Sequence, residues 1–177
     1  MTVTPIVTTR LDLVSMSPRF IDSVIAGHRS DAEAIAGLWL PHDWPRERDL
    51  RLLRMRLQQM EEDPSAQRWL LRAMVVRVKE RRMAGHIGFH GDPEAIGRAE
   101  LGYAVVPQYR RRGYATEAAQ AMMDWAAAEH GVKQFFVSIS PDNAPSLAMA
   151  ARLGFKQAGE QMDDEDGLEY VFEQARP

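Results

Sequence analysis

The chain has 177 residues, 45% apolar and 27% charged, with a net charge of −3 and no cysteine. That balance fits one globular domain, 1–177, and excludes disulfides, thiolate nucleophiles and cysteine metal sites, with no charge pull toward nucleic acid or an acidic membrane. Met1-Thr2-Val3-Thr4-Pro5 lacks the basic and apolar regions of a signal peptide and no uncharged apolar run reaches about 18 residues, so a cytoplasmic protein off the membrane is expected.

Leu11-Asp12-Leu13-Val14 predicts a short strand. Apolar positions Ile21, Val24, Ile25, Ile35 and Leu38 predict one helix from Pro18 to about Leu38. Pro41-His42-Asp43-Trp44-Pro45 is a proline-bounded loop. Leu50, Leu53, Leu57 and Met60 then form the stripe of a helix from Arg46 to Glu62, closed by Pro64. From Trp69 the period becomes that of strands, with Trp69 to Val78 and Met83 to His90 reading as a hairpin around Lys79-Glu80-Arg81-Arg82. Gly91-Asp92-Pro93 is a turn, followed by a strand from Ala99 to Val106 that Pro107 stops. A helix from Thr116 to His130 ends at Gly131; Ala115, Ala118, Ala119, Met122 and Ala126 give it a small-residue stripe able to lie close on a sheet. Gln134 to Ser140 is a strand, and Pro145 to Leu153 a short helix with Gly154 as its C-cap. Phe155 to Met162 and Leu168 to Gln174 are strands flanking the acidic turn Asp163-Asp164-Glu165-Asp166-Gly167. The order β-α-α-β-β-β-α-β-α-β-β is that of a mixed α/β (α+β) sheet packed with helices.

The most telling stretch is Arg110-Arg111-Arg112-Gly113-Tyr114-Ala115, between a strand and a helix. A turn there aims backbone N–H groups at one point, and the positive end of the helix dipole adds to them. Gly113 and Ala115 let a ligand come close to the main chain. The chemistry indicated is pyrophosphate binding by backbone amides with arginines around it; the plain alternative for the arginines is a solvated surface cluster.

Three blocks resemble the GNAT superfamily of acetyl-CoA-dependent N-acyltransferases. Arg110-x-x-Gly113-x-Ala115 is similar to its pyrophosphate loop, and Ala99-Glu100-Leu101-Gly102-Tyr103 to its central strand. Asn143-Ala144-Pro145-Ser146 followed by Arg152-Leu153-Gly154-Phe155 is similar to its late helix, in the form of the RimJ/RimL-like branch. The resemblance spans roughly residues 9–174. It implies a mostly antiparallel sheet of about seven strands with helices on both faces, splayed at two central parallel strands, here Leu101–Val106 and Phe135–Ile139. Acetyl-CoA would lie in that V as cosubstrate. Its pantetheine arm would pair with backbone of Tyr103, Ala104, Val105 and Val106, and its pyrophosphate with amides of Arg111, Arg112, Gly113, Tyr114 and Ala115 and the Thr116 hydroxyl. Arg110 would shape the loop or touch phosphate, and Asn143 would supply the late-block contact or simply cap its helix.

The chemical demand is deprotonation. An alkyl ammonium must lose a proton before attacking a thioester, at a cost of roughly 4–5 kcal/mol at neutral pH, less for an α-amine. Glu100 stands where several GNAT enzymes carry a general base; its alternative is pairing with an arginine such as Arg98. The resemblance points to the Ala104 N–H, near a bulge, as donor to the thioester oxygen. The family's common tyrosine acid falls on Ala150, so Ser146 is the hydroxyl that fits, or else an ordinary partial cap. Trp39, His42, Asp43 and Trp44 and the acidic turn would wall the acceptor side, and His86 and His90 share a strand face without the spacing of a metal site. The expected function is direct acetyl transfer in a ternary complex to a primary amine, a protein N-terminus or a small molecule. A non-catalytic acyl-CoA-binding sensor or scaffold is the alternative. No metal and no nucleic-acid or membrane partner is expected, and homodimerisation stays open.

Overall fold

In the computed structural model, which describes residues 3–164 and 167–176, alternation along the strands sorts side chains to two faces of one sheet. The strands are β1 (Ile6–Val7), β2 (Leu11–Ser15), β3 (Arg72–Val76), β4 (Arg82–Phe89), β5 (Ala99–Val105), β6 (Gln134–Ile139), β7 (Lys156–Asp163) and β8 (Gly167–Ala175). They run in the order β1-β2-β3-β4-β5-β6-β8-β7, antiparallel throughout except for β5 with β6. The helices are α1 (Pro18–Ile25), α2 (Arg29–Ala36), α3 (Glu47–Glu62), α4 (Pro93–Ile96), α5 (Tyr114–His130) and α6 (Ala144–Arg152).

The two faces carry separate cores. Met74 and Val76 of β3, Ile87 and Phe89 of β4 and Leu101 of β5 pack with Ala118, Ala119, Met122 and Ala126 of α5 and Met149 and Ala150 of α6. The alternate residues Ala73, Val75 and Met83 pack with Phe20, Ile21, Val24 and Leu53 from α1 and α3. Of the expected small-residue stripe of α5, Ala118, Ala119, Met122 and Ala126 are fully buried and Ala115 partly so, which lets the helix axis come close to the sheet.

Four features differ from the sequence reading. The helix expected over 18–38 is two, because the chain turns through a left-handed Gly27 (φ 76) after α1 is capped at Ala26. The strand expected from Trp69 starts only at Arg72, since Pro64–Arg68 forms a 3-10 turn capped by Asp63, with Trp69 as its C-cap. The turn at Gly91-Asp92-Pro93 leads into the one-turn helix α4, which the Asp92 carboxylate caps by accepting from the Glu94 N–H. Strand β1 brings the sheet to eight strands. Of the acidic turn, Glu165 and Asp166 lie outside the described residues.

Candidate active site

β5 and β6 pair at only two positions, Ala99↔Phe135 and Glu100↔Phe136, and then diverge while β5 runs on to Val105 and β6 to Ile139. The V thus opens just beyond Glu100. On the other side β5 stays in register with β4, without a shift, from Leu101↔Phe89 to Val105↔Gly85. The Glu100 carbonyl accepts from the His90 N–H and the Val106 N–H donates to the Ala84 carbonyl. Antiparallel alternation then turns the backbone groups of Ala104 toward β4 and those of Leu101, Tyr103 and Val105 toward the V. This corrects two expectations. Val106 has its N–H engaged with β4, and Ala104, with no bulge beside it, has its N–H on the β4 side. The amides that face the V belong to Tyr103 and Val105. The Val105 carbonyl accepts from Arg110 Nε (3.0 Å), so Arg110 staples the loop to the strand end.

Beyond β5 the loop takes a left-handed step at Arg111 (φ 59) and another at Gly113 (φ 78), and α5 begins at Tyr114. Left-handed steps of this kind turn successive amides toward one side, where the helix dipole adds its field. Thr116 lies half-buried in the first turn of α5. The loop is braced from the N-terminal hairpin. Arg10 donates from its backbone N–H and its Nε to the Glu117 carboxylate (2.8 and 2.6 Å) and from Nη1 to the Arg112 carbonyl (2.8 Å). Its guanidinium also lies over the Tyr114 ring, 4.9 Å from the centroid. The Thr8 hydroxyl donates to Glu117 as well (2.6 Å). Burial raises the Glu117 carboxyl, but the Thr8 and Arg10 hydrogen bonds and the Arg10 charge outweigh it and hold the group below its ordinary value.

At the throat of the V, on the face covered by α3, Glu100 has partners on both sides of β5. Oε1 accepts from Ser138 Oγ of β6 (2.9 Å), and Ser138 Oγ accepts from Gln161 Nε2 of β7 (3.0 Å). Oε2 stands 3.3 Å from Nδ1 of His90, just after β4. Burial raises the Glu100 carboxyl, but His90, Ser138 and Arg98 outweigh it, so the net shift is downward and the group is ionised at neutral pH. The glutamate therefore interacts with Arg98 only through charge; Arg98 itself pairs with Glu173 at 3.6 Å and lies over Phe136. Below Glu100 sit buried Arg56 and the pair His86 Nε2–Asp49 Oδ1 (3.3 Å).

On the opposite face the Tyr103 hydroxyl donates to Ser146 Oγ (2.8 Å). Burial drives the Tyr103 phenol above its ordinary range, partly offset by Ser146, so it stays protonated. Asn143 caps α6, its Oδ1 accepting from the Ser146 N–H (3.2 Å). Ala150 is buried in the core. Trp39 is exposed and lines a cleft with His42, Arg82 and Tyr109 beside the loop, whereas Trp44 is buried. Among the described residues no cluster of His, Asp or Glu is arranged for a metal ion.

One parallel pair that splays within an otherwise antiparallel sheet, with a strand–loop–helix turn beyond it, is the feature that sets this α/β fold apart. The chain belongs to the family described as "Acetyltransferase (GNAT) domain", which matches residues 10–156. It is 34% identical over 82 residues to the N-acetyltransferase YjdG of Bacillus subtilis, covering 46% of this chain and 49% of that protein. The chain thus matches about half the length of this curated relative. In fold it is similar to the Salmonella typhimurium acetyltransferase that modifies the N-terminal serine of ribosomal protein L7/L12 (TM-score 0.66, 18% identity, 98% and 99% of the two chains). It is also similar to the microcin C7 self-immunity acetyltransferase MccE, solved with acetyl-CoA and AMP (TM-score 0.64, 14% identity, 96% and 94%). The GNAT reading holds, and the likeness to RimL-type enzymes is one of fold.

Sequence reasoning located the loop, the V and Glu100, but not Arg10, Ser138, His90 or the Tyr103 hydroxyl as neighbours of the site. Arg10 lies 107 residues from its carboxylate partner, and only strand order brings it there. For His90 and Ser138 the signal was partial, since alternation assigns each a face but not the register that sets it opposite Glu100.

Proposed function

We propose that the protein is an acetyl-CoA-dependent N-acetyltransferase that moves the acetyl group directly to a primary amine in a ternary complex. The observation that carries this is an ionised carboxylate at the throat of a V whose outer end meets a loop with two left-handed steps at a helix N-terminus. Acetyl-CoA supplies the activated acyl group. The loop amides from Arg111 to Ala115 and the Thr116 hydroxyl hold its pyrophosphate, and the Tyr103 and Val105 backbone groups pair with the pantetheine arm. Asn143 positions Ser146 by capping α6. The Tyr103–Ser146 hydroxyl pair stands on the carrier's side and supplies the proton that the departing sulfur needs. The proton-accepting centre is at Glu100, across the sheet, where the amine enters. A direct route fits a chain with no cysteine to carry the acetyl group.

The likeness to the ribosomal-protein acetyltransferase fold supports a protein N-terminus as acceptor, and the cleft beside Trp39 suits entry of an extended segment. We take the chain as one domain working in the cytoplasm. The test is thiol release across N-terminal peptides and small amines, run beside calorimetric CoA binding, for wild type and Glu100→Gln. Turnover that Glu100→Gln reduces at least a hundredfold, with CoA binding intact, is the expected result. CoA binding without turnover of any amine would favour a sensor or scaffold, and no CoA binding would sink both.

A further inference from the structure

We propose that Arg56 of α3 reads a carboxylate carried beside the acceptor amine, so that the acceptor is a free amino acid or a chain that begins with an acidic residue. The assignment rests on the acetyltransferase reading and deepens it by naming the acceptor class. Arg56 is 4% exposed, yet its guanidinium has almost no partners. Nη1 donates to Gln59 Oε1 of the same helix (2.8 Å), Nε is enclosed without a hydrogen-bond partner, and Nη2 has none among the described residues. A buried charge in this state is costly unless an anion faces it. Arg72 makes the contrast. It too is buried, but its Nη1 donates to the Thr4 carbonyl (3.0 Å) and its Nη2 to the Arg68 carbonyl (3.1 Å), which ties it into the fold.

The packing of α3 sets Arg56 beside Glu100. The helix turns Leu53, Arg56 and Met60 to the sheet. Asp49, two turns before Arg56, meets His86, which stands opposite Ala104 of β5. After α3 the chain reaches Trp69, whose carbonyl accepts from the Phe89 N–H, and Phe89 stands opposite Leu101. The helix therefore runs from the Ala104 end of β5 toward the Glu100 end. From Asp49 to Arg56 it advances about 10 Å, and from Ala104 to Glu100 the strand covers about 13 Å, a difference that the long arginine side chain spans. Charge agrees with this placement. Burial lowers the Arg56 guanidinium and Glu100 partly offsets that, so the group stays protonated. Yet the carboxylate does not pair with it, since Oε1 is held by Ser138 and Oε2 by His90.

Opposite charges side by side on one face, neither bonded to the other, suit a ligand that carries both. The ammonium of the acceptor approaches Glu100, and its carboxylate, one or two carbons away, meets Arg56. Nη2 is the nitrogen left for it, because Gln59 holds Nη1 and the protein encloses Nε. The contact is a charge-assisted hydrogen bond in a site with little water, and it relieves the buried cation as it forms. An amide in place of the carboxylate brings no charge and leaves the guanidinium as it was.

The test measures kcat/KM by thiol release for matched acceptors: free amino acids beside their amides, and peptides beginning with Asp or Glu beside those beginning with Asn or Gln. Wild type, Arg56→Met and Arg56→Lys are compared, with calorimetric CoA binding and thermal unfolding on the same preparations. Wild type should favour the acid over its amide at least tenfold, and Arg56→Met should lower that ratio about 10- to 100-fold. Arg56→Lys keeps the charge on a different reach and should fall between, which reads the ratio even if Arg56→Met does not fold. A preference among free amino acids assigns a small zwitterion and one among the peptides a protein N-terminus; either upholds the proposal. Wild type that turns over amides as well as acids overturns it. So does an Arg56→Met enzyme that slows on both members of a pair and keeps their ratio, since that marks a packing role. Failure of wild type to acetylate any amine would instead remove the acetyltransferase reading.

Discussion

Three strand glycines, none with a left-handed backbone, separate stability from function. A methyl group on Gly88 would overlap the Leu70 carbonyl oxygen and stand 2.7 Å from the Leu70 carbonyl carbon. Both atoms are backbone and cannot swing aside, so Gly88→Ala should cost the upper part of the usual overpacking range, about 3 kcal/mol. For a chain of this size that lowers Tm by about 6–12 °C. On Gly102 the obstacle is the half-exposed ring of His90, which can move to another rotamer for about 1 kcal/mol. Gly102→Ala should therefore melt within about 4 °C of wild type while losing most of its thiol-release activity, because the ring leaves Glu100. Gly159 has nothing within 4 Å of a new methyl group, so Gly159→Ala should be neutral or gain about 0.5 kcal/mol from a stiffer unfolded chain. Thermal unfolding and thiol release on the same three preparations give both readouts. A Gly88→Ala protein that melts with wild type, or a Gly102→Ala protein as unstable as Gly88→Ala, would refute the reasoning.

Arg10→Ala should raise the acetyl-CoA KM about tenfold with little change in kcat, because the loop must then be ordered at the ligand's expense, about 1–2 kcal/mol. Initial rates against acetyl-CoA concentration decide it. Tyr103→Phe should lower kcat up to about tenfold, the worth of one hydrogen bond, and leave CoA Kd unchanged by calorimetry. The Glu117 carboxyl is depressed in the folded chain, so its stabilisation is complete above the ordinary 4.5 and is lost as pH falls through the lower folded value. Glu117→Gln should accordingly show a shallower fall of Tm with pH below 4.5, and curves parallel to wild type there would contradict this.

The sequence by itself determined the local chemistry. The Gly-containing loop between strand and helix, the small-residue face of α5 and a carboxylate on the central strand follow from residue type and spacing, which act over a few residues. Local reading failed where a neighbour distant in the chain changed the outcome. The apolar spacing from Ile21 to Leu38 predicted one long helix, yet the second core, built from Phe20, Val24 and Leu53 against the sheet, is served by two short helices that turn at Gly27. The expected Ala104 amide failed for a related reason, since which groups face the V depends on pairing with β4 and not on the β5 sequence. Tertiary structure alone decided the company of Glu100: Ser138 from a strand 38 residues on, and His90 across an antiparallel register. It also decided that Arg10 braces the loop. Alternation tells a side chain which face it takes, but strand order and register choose its partners, and those are fixed by burial summed over the whole sheet.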